Sequence, residues 1–418
     1  VLEAVEICAG AGGQALGLER AGFEHALAVE LDGHACETLR VNRPGWKVAG
    51  GDVADPAVWD PASYEGVALL AGGVPCPPFT VAGRQLGAAD ERDLFAWAVE
   101  LCGMVRPRAL LLENVRGFST GRFAAYRQHV LDRLRQLGYI ALWRLLQASD
   151  YGVPQLRPRF VLVALRPEDA PWFAWPPPRD RPPTVGEALA DLMGSGGWRG
   201  TQRWVRRAAA IAPTIVGGSR KHGGPDLGPT RAKRAWAELG VNALGVGDGP
   251  PCAADDPWLA PKLTCEMVAR LQGWRDSWNW EFTGGKTARY RQIGNAFPPP
   301  VARAVGDSVL LALRHRGEPR ALVEHTEPTH DPVYLALRAN GGFMSVNQIA
   351  ELVSLDRGEY LDPPTVERHM SHLSRDFEIE IAEHGHGPMY RLGRFRAFLG
   401  QQRHARHEQF LKHRAQIS

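Results

Sequence analysis

A cysteine framed by prolines is the first chemical signal in this chain. Gly72-Gly73-Val74-Pro75-Cys76-Pro77-Pro78-Phe79-Thr80 follows an apolar run that reads as a strand. Three prolines allow neither a helix nor a strand to continue through the thiol, so Cys76 sits on a fixed turn. Thiolate is the nucleophilic form and needs basic groups or a helix end nearby; Arg84, Arg157 and Arg159 are the candidates. Leu111-Leu112-Glu113-Asn114-Val115 places a carboxylate directly behind another apolar run. Desolvation at a strand end raises a carboxyl pKa, which suits Glu113 to act as a general acid or as a donor to a heterocyclic nitrogen. A Glu capping the following turn is the plainer reading. Gln155-Leu156-Arg157-Pro158-Arg159 sets two guanidinium groups before a further strand, either as a surface pair or as a clamp on oxygen or phosphate.

A second constellation lies near the start. Glu6-Ile7-Cys8-Ala9-Gly10-Ala11-Gly12-Gly13 joins a strand to a helix. Glycines there let the backbone turn tightly and approach a ligand at the helix N-terminus. Glu30 closes the next strand, near the offset of about 20 residues at which an acid takes ribose hydroxyls. Asp52, after a third apolar stretch, is placed for the exocyclic amine of an adenine. The turn lacks the full GxGxxG spacing, so an adenosyl cofactor smaller than a dinucleotide is favoured; a glycine turn without ligand is the alternative.

The elements that must carry these residues follow from periodicity. Short apolar runs at 4–8, 26–29, 67–70, 110–112 and 160–165 read as buried strands, with helices at 14–21, 93–104 and 124–137 between them. Such alternation predicts an α/β domain with a parallel sheet covered on both faces. Prolines crowd 171–183 as a linker, and a Gly- and Arg-rich stretch of little periodicity runs to about 261. Helical and strand signals return at 264–272 and 300–313. At 418 residues, 44% hydrophobic and 23% charged, the chain is long enough for two to four domains and is neither disordered nor coiled coil. Its six cysteines form no CxxC pair, which speaks against a zinc ribbon or disulfide scaffold, and no metal is expected. No apolar run approaches the ~18–20 residues of a membrane span, so the expectation is a cytoplasmic, nucleoid-associated protein.

Taken in order, the EICAGAGG turn, Glu30, Asp52, the PCPPFT loop, the ENV tripeptide, the QLRPR run and Arg291-Gln292-Ile293-Gly294-Asn295-Ala296-Phe297-Pro298-Pro299 resemble the bacterial DNA (cytosine-5) methyltransferase family over residues 1–315. The resemblance implies a Rossmann-like, S-adenosylmethionine-dependent methyltransferase domain. It implies that Cys76 adds to carbon 6 of a flipped-out cytosine, Glu113 holds ring nitrogen 3, and Arg159, supported by Arg157, contacts the base oxygen. For the cofactor it implies Gly10 and Gly12 around the methionine portion, Glu30 on the ribose and Asp52, with Val53, on adenine. Gly73, Pro75, Leu94, Trp274, Asn295 and Ala296 complete the pocket. Cys8 and Leu31 stand where the family often has Phe and Trp, and Pro77 and Thr80 replace the usual Gln and Ser.

The resemblance assigns 1–170 and 262–317 to catalysis and 171–261 to reading double-stranded DNA. Within 197–234 nine basic residues face one acid, Asp226, a footprint expected for duplex binding. Arg203, Arg206, Arg207, Arg220 and Lys221 are the candidates there, with Thr214 in a turn near the backbone and Thr80 and Arg84 on the loop over the base. Residues 318–418 fall outside the resemblance. Helices at 333–340, 345–355 and 365–377, then a hairpin around Gly385 and Gly387, look like a winged helix. In that reading Arg368, His369, His372 and Arg375 lie on its recognition helix; a structural or dimerising role is the alternative. The expected activity is cytosine-5 methylation of a specific duplex sequence, in a restriction–modification system with a partner endonuclease or as a solitary enzyme. An RNA (tRNA) cytosine-5 methyltransferase and a silent DNA-binding regulator are the rivals; neither target sequence nor oligomeric state is legible.

Overall fold

Alternating apolar runs and amphipathic stretches fold as layers around one large sheet. The computed structural model describes residues 1–75, 94–179, 181–217, 225–321, 331–358, 361–384 and 387–395. The first half runs β1 (Leu2–Ile7), α1 (Gly13–Ala21), β2 (Phe23–Glu30), α2 (Gly33–Asn42), β3 (Val48–Gly50), β4 (Leu69–Gly72), α3 (Leu94–Val105), β5 (Ala109–Val115), α4 (Ala124–Gln136), β6 (Ile140–Gln147) and β7 (Pro158–Leu165). These strands form one sheet in the order β3-β2-β1-β4-β5-β7-β6. The pairs among β1 to β5 are parallel, as expected, but β7 runs antiparallel to both β5 and β6. The wholly parallel expectation is therefore corrected. The stretch 148–157 between β6 and β7 is too short to hold a crossover helix, so the chain returns alongside in the opposite sense.

Side chains alternate between the two sheet faces. Val5, Ile7, Leu70, Leu110 and Leu112 pack with α3 and α4. Ala4, Leu69, Ala71, Ala109, Leu111 and Val163 pack instead with α1 and with α10 (Pro299–Leu313). The α1–α10 contact is close because Gly17 has no side chain: a Cβ there would lie 2.5 Å from that of Ala302. The segment of little periodicity contains α5 (Val185–Gly194), α6 (Thr201–Arg207) and α7 (Thr230–Glu238). α5 buries Val185, Leu189 and Met193, while α6 and α7 each bury one Trp, Trp204 and Trp236; Trp198 is buried between α5 and α6. They share one core with α8 (Cys265–Leu271) and α9 (Lys286–Asn295), so packing continues across residue 262.

The C-terminal part consists of α11 (Pro332–Asn340), β8 (Met344–Ser345), α12 (Val346–Arg357), α13 (Pro363–Leu373), β9 (Phe377–His384) and β10 (Gly387–Phe395). Ser345 caps α12 through Gln348 N–H, as its position predicts. Asp362 caps α13, which starts earlier and ends earlier than expected, leaving Arg375 beyond the helix. The hairpin forms with β8 a three-stranded sheet in the order β8-β10-β9; Gly385 lies outside the described residues. This unit is docked on α4: Phe395 lies edge-on to Tyr126 at 5.0 Å and stacks on His129 at 4.3 Å, and Arg338 pairs with Asp132 at 2.7 Å. Among the described residues no helix is long and apolar enough to cross a membrane.

Candidate active site

Strand order reverses between β1 and β4, and a crevice at the carboxyl ends of strands at such a point is where open α/β sheets bind ligands. The turn after β1 is held by its glycines. Gly12 caps α1 with φ 86°, and a Cβ there would lie 2.6 Å from the Trp280 ring, so no other residue fits. Gly10 N–H donates to Glu30 Oε2 at 2.7 Å and Asp32 N–H to Oε1 at 2.8 Å. Burial raises the Glu30 carboxyl pKa while these two donors pull it down. The acid at the end of β2 and the glycine turn after β1 thus form one unit. Asp52 follows β3, is half-buried and accepts the Ala54 N–H at 2.9 Å.

Glu113 and Arg159 form the second unit. Antiparallel pairing of β5 with β7 sets Val115 opposite Arg159, and the Arg159 Nε lies 2.7 Å from Glu113 Oε1 with both side chains almost wholly buried. Burial raises the Glu113 carboxyl pKa above the ordinary range, opposed by Arg159 and then Arg157. Its second oxygen points toward Gly73: a Cβ on that glycine would lie 3.5 Å from Oε2. Asn114 Nδ2 donates to the Val74 carbonyl at 3.3 Å, tying β5 to the chain leaving β4. A carboxyl whose pKa burial raises, aimed at the β4 terminus, is suited to donate a proton to a base.

Arg157 does something else. Its guanidinium donates to the carbonyls of Gly294 (2.6 Å), Ala296 (3.1 Å) and Ile215, and the residue is 1% exposed. The resemblance gives Arg157 a role in support of Arg159; here its two terminal nitrogens donate to backbone carbonyls and hold the strand end against α9. Gln155 completes this knot, donating to Leu271 O and Gln272 Oε1 and accepting from Ile215 N–H.

The remaining expected residues separate by depth. Leu31 is 40% exposed at the rim, and Pro75 is exposed at the crevice. Asn295 is also exposed and lies against Gly217. Ala296 and Trp274 border Gly13, whose absent Cβ would come 3.0 and 3.2 Å from them. Val53 and Leu94 are buried in the core with α3. Among the basic residues Arg206 is exposed on α6. Arg203 lies over the Trp258 ring at 4.2 Å, and Arg207 donates to Ala237 and Glu238 carbonyls at the end of α7; both have internal partners. Thr214 Oγ1 donates to the Leu156 carbonyl beside Arg157. Cys76, Thr80, Arg84, Arg220 and Lys221 lie outside the described residues. Sequence reasoning missed Gln14, Gln272, Gly217 and Trp280, whose Nε1 donates to Ala11 O at 3.1 Å. Their neighbours are remote in the chain, so no local pattern marks them.

Sheet order, a glycine turn tied to the acid ending β2, and a buried Glu–Arg pair define an α/β protein with a crevice at the carboxyl ends of its strands. Residues 2–310 match the model of the C-5 cytosine-specific DNA methylase family, and the chain belongs to that family. It is 61% identical over 417 residues to the type II methyltransferase M.NaeI of Lentzea aerocolonigenes, covering 100% of this chain and 99% of that one. It is 49% identical to the type II methyltransferase M.NgoMIV of Neisseria gonorrhoeae, covering 74% of this chain and 97% of that one. A DNA modification methyltransferase encoded in an Escherichia coli prophage shares the fold, with a TM-score of 0.50 and 20% identity over 75% of this chain and 100% of that one. The cofactor of the family is S-adenosylmethionine. The residues present suit that group: Glu30 at the end of β2 is held against the glycine turn, Asp52 follows β3, and Gly73 carries no side chain beside the Glu113 and Gln14 oxygens.

Proposed function

We propose that this chain methylates carbon 5 of a flipped-out cytosine within a specific short duplex, as the modification half of a restriction–modification pair. The observation that carries the reading is the buried Glu113–Arg159 pair at the end of β5, beside Gly73. Carbon 5 of cytosine is a poor nucleophile until something adds to carbon 6. Cys76 is the nucleophile the sequence supplies: its sulfur bonds to carbon 6, and electron density moves toward nitrogen 3. Glu113 gives nitrogen 3 its proton, so no charge accumulates on the ring. Arg159 holds Glu113 and faces the base oxygen, while Arg157 fixes the strand end that presents it. S-adenosylmethionine, when bound, supplies an electrophilic methyl group to carbon 5. Loss of the carbon 5 proton to a base, departure of the Cys76 sulfur as thiolate and return of the nitrogen 3 proton to Glu113 then restore the aromatic ring.

Glu30 and Asp52 hold the nucleoside of the donor, with Gly10 and Gly12 beside its methionine portion. Residues 1–170 and 262–317 act as the catalytic unit and 171–261 read the duplex. Exposed Arg206 and the turn at Thr214 are the described residues best placed for DNA backbone. Residues 318–418 have the element order of a winged helix, and their shared core with α4 supports a bracing role. The type II relatives support a cognate endonuclease as partner, with the work done on nucleoid DNA in the cytoplasm. Conversion sequencing of DNA from cells expressing the chain tests the reading. The expected result is 5-methylcytosine at one short sequence; unmodified DNA overturns it.

A further inference from the structure

Gln14, the second residue of α1, has no role in the mechanism above, yet it sits where a ligand must go. It is only 3% exposed, and neither Oε1 nor Nε2 has a hydrogen-bond partner among the described residues. A buried amide left with both groups unmatched is uncommon in folded chains and asks for a missing partner. Its direction is set by Gly73. The position a Cβ would occupy there is 3.5 Å from Glu113 Oε2, 3.9 Å from the Cys8 carbonyl oxygen and 3.9 Å from Gln14 Oε1. Oxygens from β5, from the turn after β1 and from α1 therefore lie around Gly73, each at ordinary contact distance from where its Cβ would be. Glu113 lies on one side of Gly73 and the glycine turn on the other.

Gln14 Oε1 and the Cys8 carbonyl are two acceptors near Gly73 on the side of the glycine turn, and acceptors suit a positive, hydrogen-donating or carbon-bound charge. We propose that Gln14 receives the cationic end of the methyl donor through its Oε1. This rests on the reading that the crevice binds S-adenosylmethionine. Two groups of that molecule carry the required charge: the α-ammonium and the sulfonium. The same chemistry serves either, and three ligands separate them. S-adenosylmethionine has both charges, S-adenosylhomocysteine has only the ammonium, and 5′-methylthioadenosine has neither.

The test is direct binding of these three ligands, by calorimetry, to the full-length protein and to Gln14→Leu and Gln14→Glu. Removing a hydrogen bond to a charged group costs about tenfold or more in affinity. Gln14→Leu should therefore weaken S-adenosylmethionine by about tenfold or more while leaving 5′-methylthioadenosine unchanged. Gln14→Glu, which keeps an oxygen, should hold or tighten binding of the charged ligands. If S-adenosylhomocysteine weakens in parallel with S-adenosylmethionine, the ammonium is the group received; if it does not weaken, the sulfonium is. Equal weakening of all three ligands in Gln14→Leu, or no change in any, overturns the proposal. Failure of the unmodified protein to bind any of the three instead overturns the underlying cofactor reading.

Discussion

Glu113 and Arg157 sit close together in the chain's chemistry but have opposite duties, and substitution separates them. In the proposed reaction Glu113 acts through its proton, and burial raises its pKa above the ordinary carboxylic range. The proton-bearing form is lost as pH rises through that raised value, so the methylation rate should fall on the alkaline side. Glu113→Gln keeps the shape but cannot titrate. It should lower kcat by roughly 100-fold or more and abolish that alkaline limb in a pH–rate profile. Arg157 acts through three carbonyls. Arg157→Met should cost about 3 kcal/mol in stability by leaving those acceptors unmatched, seen as a lower midpoint in urea unfolding. Both residues were legible in the sequence because glycine, proline and strand ends are local marks. Their division of labour was not, since Gly294 and Ile215 lie far along the chain from Arg157.

At the level of elements, the cofactor turn depends on α1 lying close against α10. Gly17 allows this approach, and a Cβ there would meet Ala302 Cβ and the backbone around Arg303. Gly17→Ala should destabilise the protein by about 1–3 kcal/mol through overpacking and should weaken donor binding, measured by thermal melts with and without S-adenosylmethionine. Strands with unbroken apolar runs, such as β5, were readable from periodicity. The reversal of β7 was not, because a strand's sequence carries no direction; the short link after β6 decides it. The helices α6 and α7 escaped notice because each buries a single Trp rather than a stripe; α5 does carry a stripe of Val185, Leu189 and Met193 and was overlooked among the glycines and arginines.

For the whole molecule, the C-terminal unit and the catalytic unit share a core, with His129 of α4 between the two. Burial lowers its pKa from the ordinary 6.5 to about 4, with Arg133 and Arg338 adding to the effect. The folded state thus prefers neutral His129: its stability is fully present above pH 6.5 and is lost as pH falls toward 4, by up to about 3 kcal/mol. Melting temperature should fall between pH 7 and pH 5, and His129→Phe, which keeps the stack on Phe395, should reduce that fall. M.NgoMIV matches this chain over 97% of its own length but only 74% of ours, so roughly a quarter of this chain has no counterpart there. The proposed methyl-transfer chemistry lies at the carboxyl ends of the sheet's strands. The most direct test of that chemistry is to offer duplex DNA carrying 5-fluorocytosine at the methylated position, together with S-adenosylmethionine. Fluorine cannot leave as the proton does, so a covalent complex should accumulate on denaturing gels and map to Cys76, and Cys76→Ser should form none. If DNA methylated by this chain yields no such complex when its target cytosine is fluorinated, the account of the reaction is wrong.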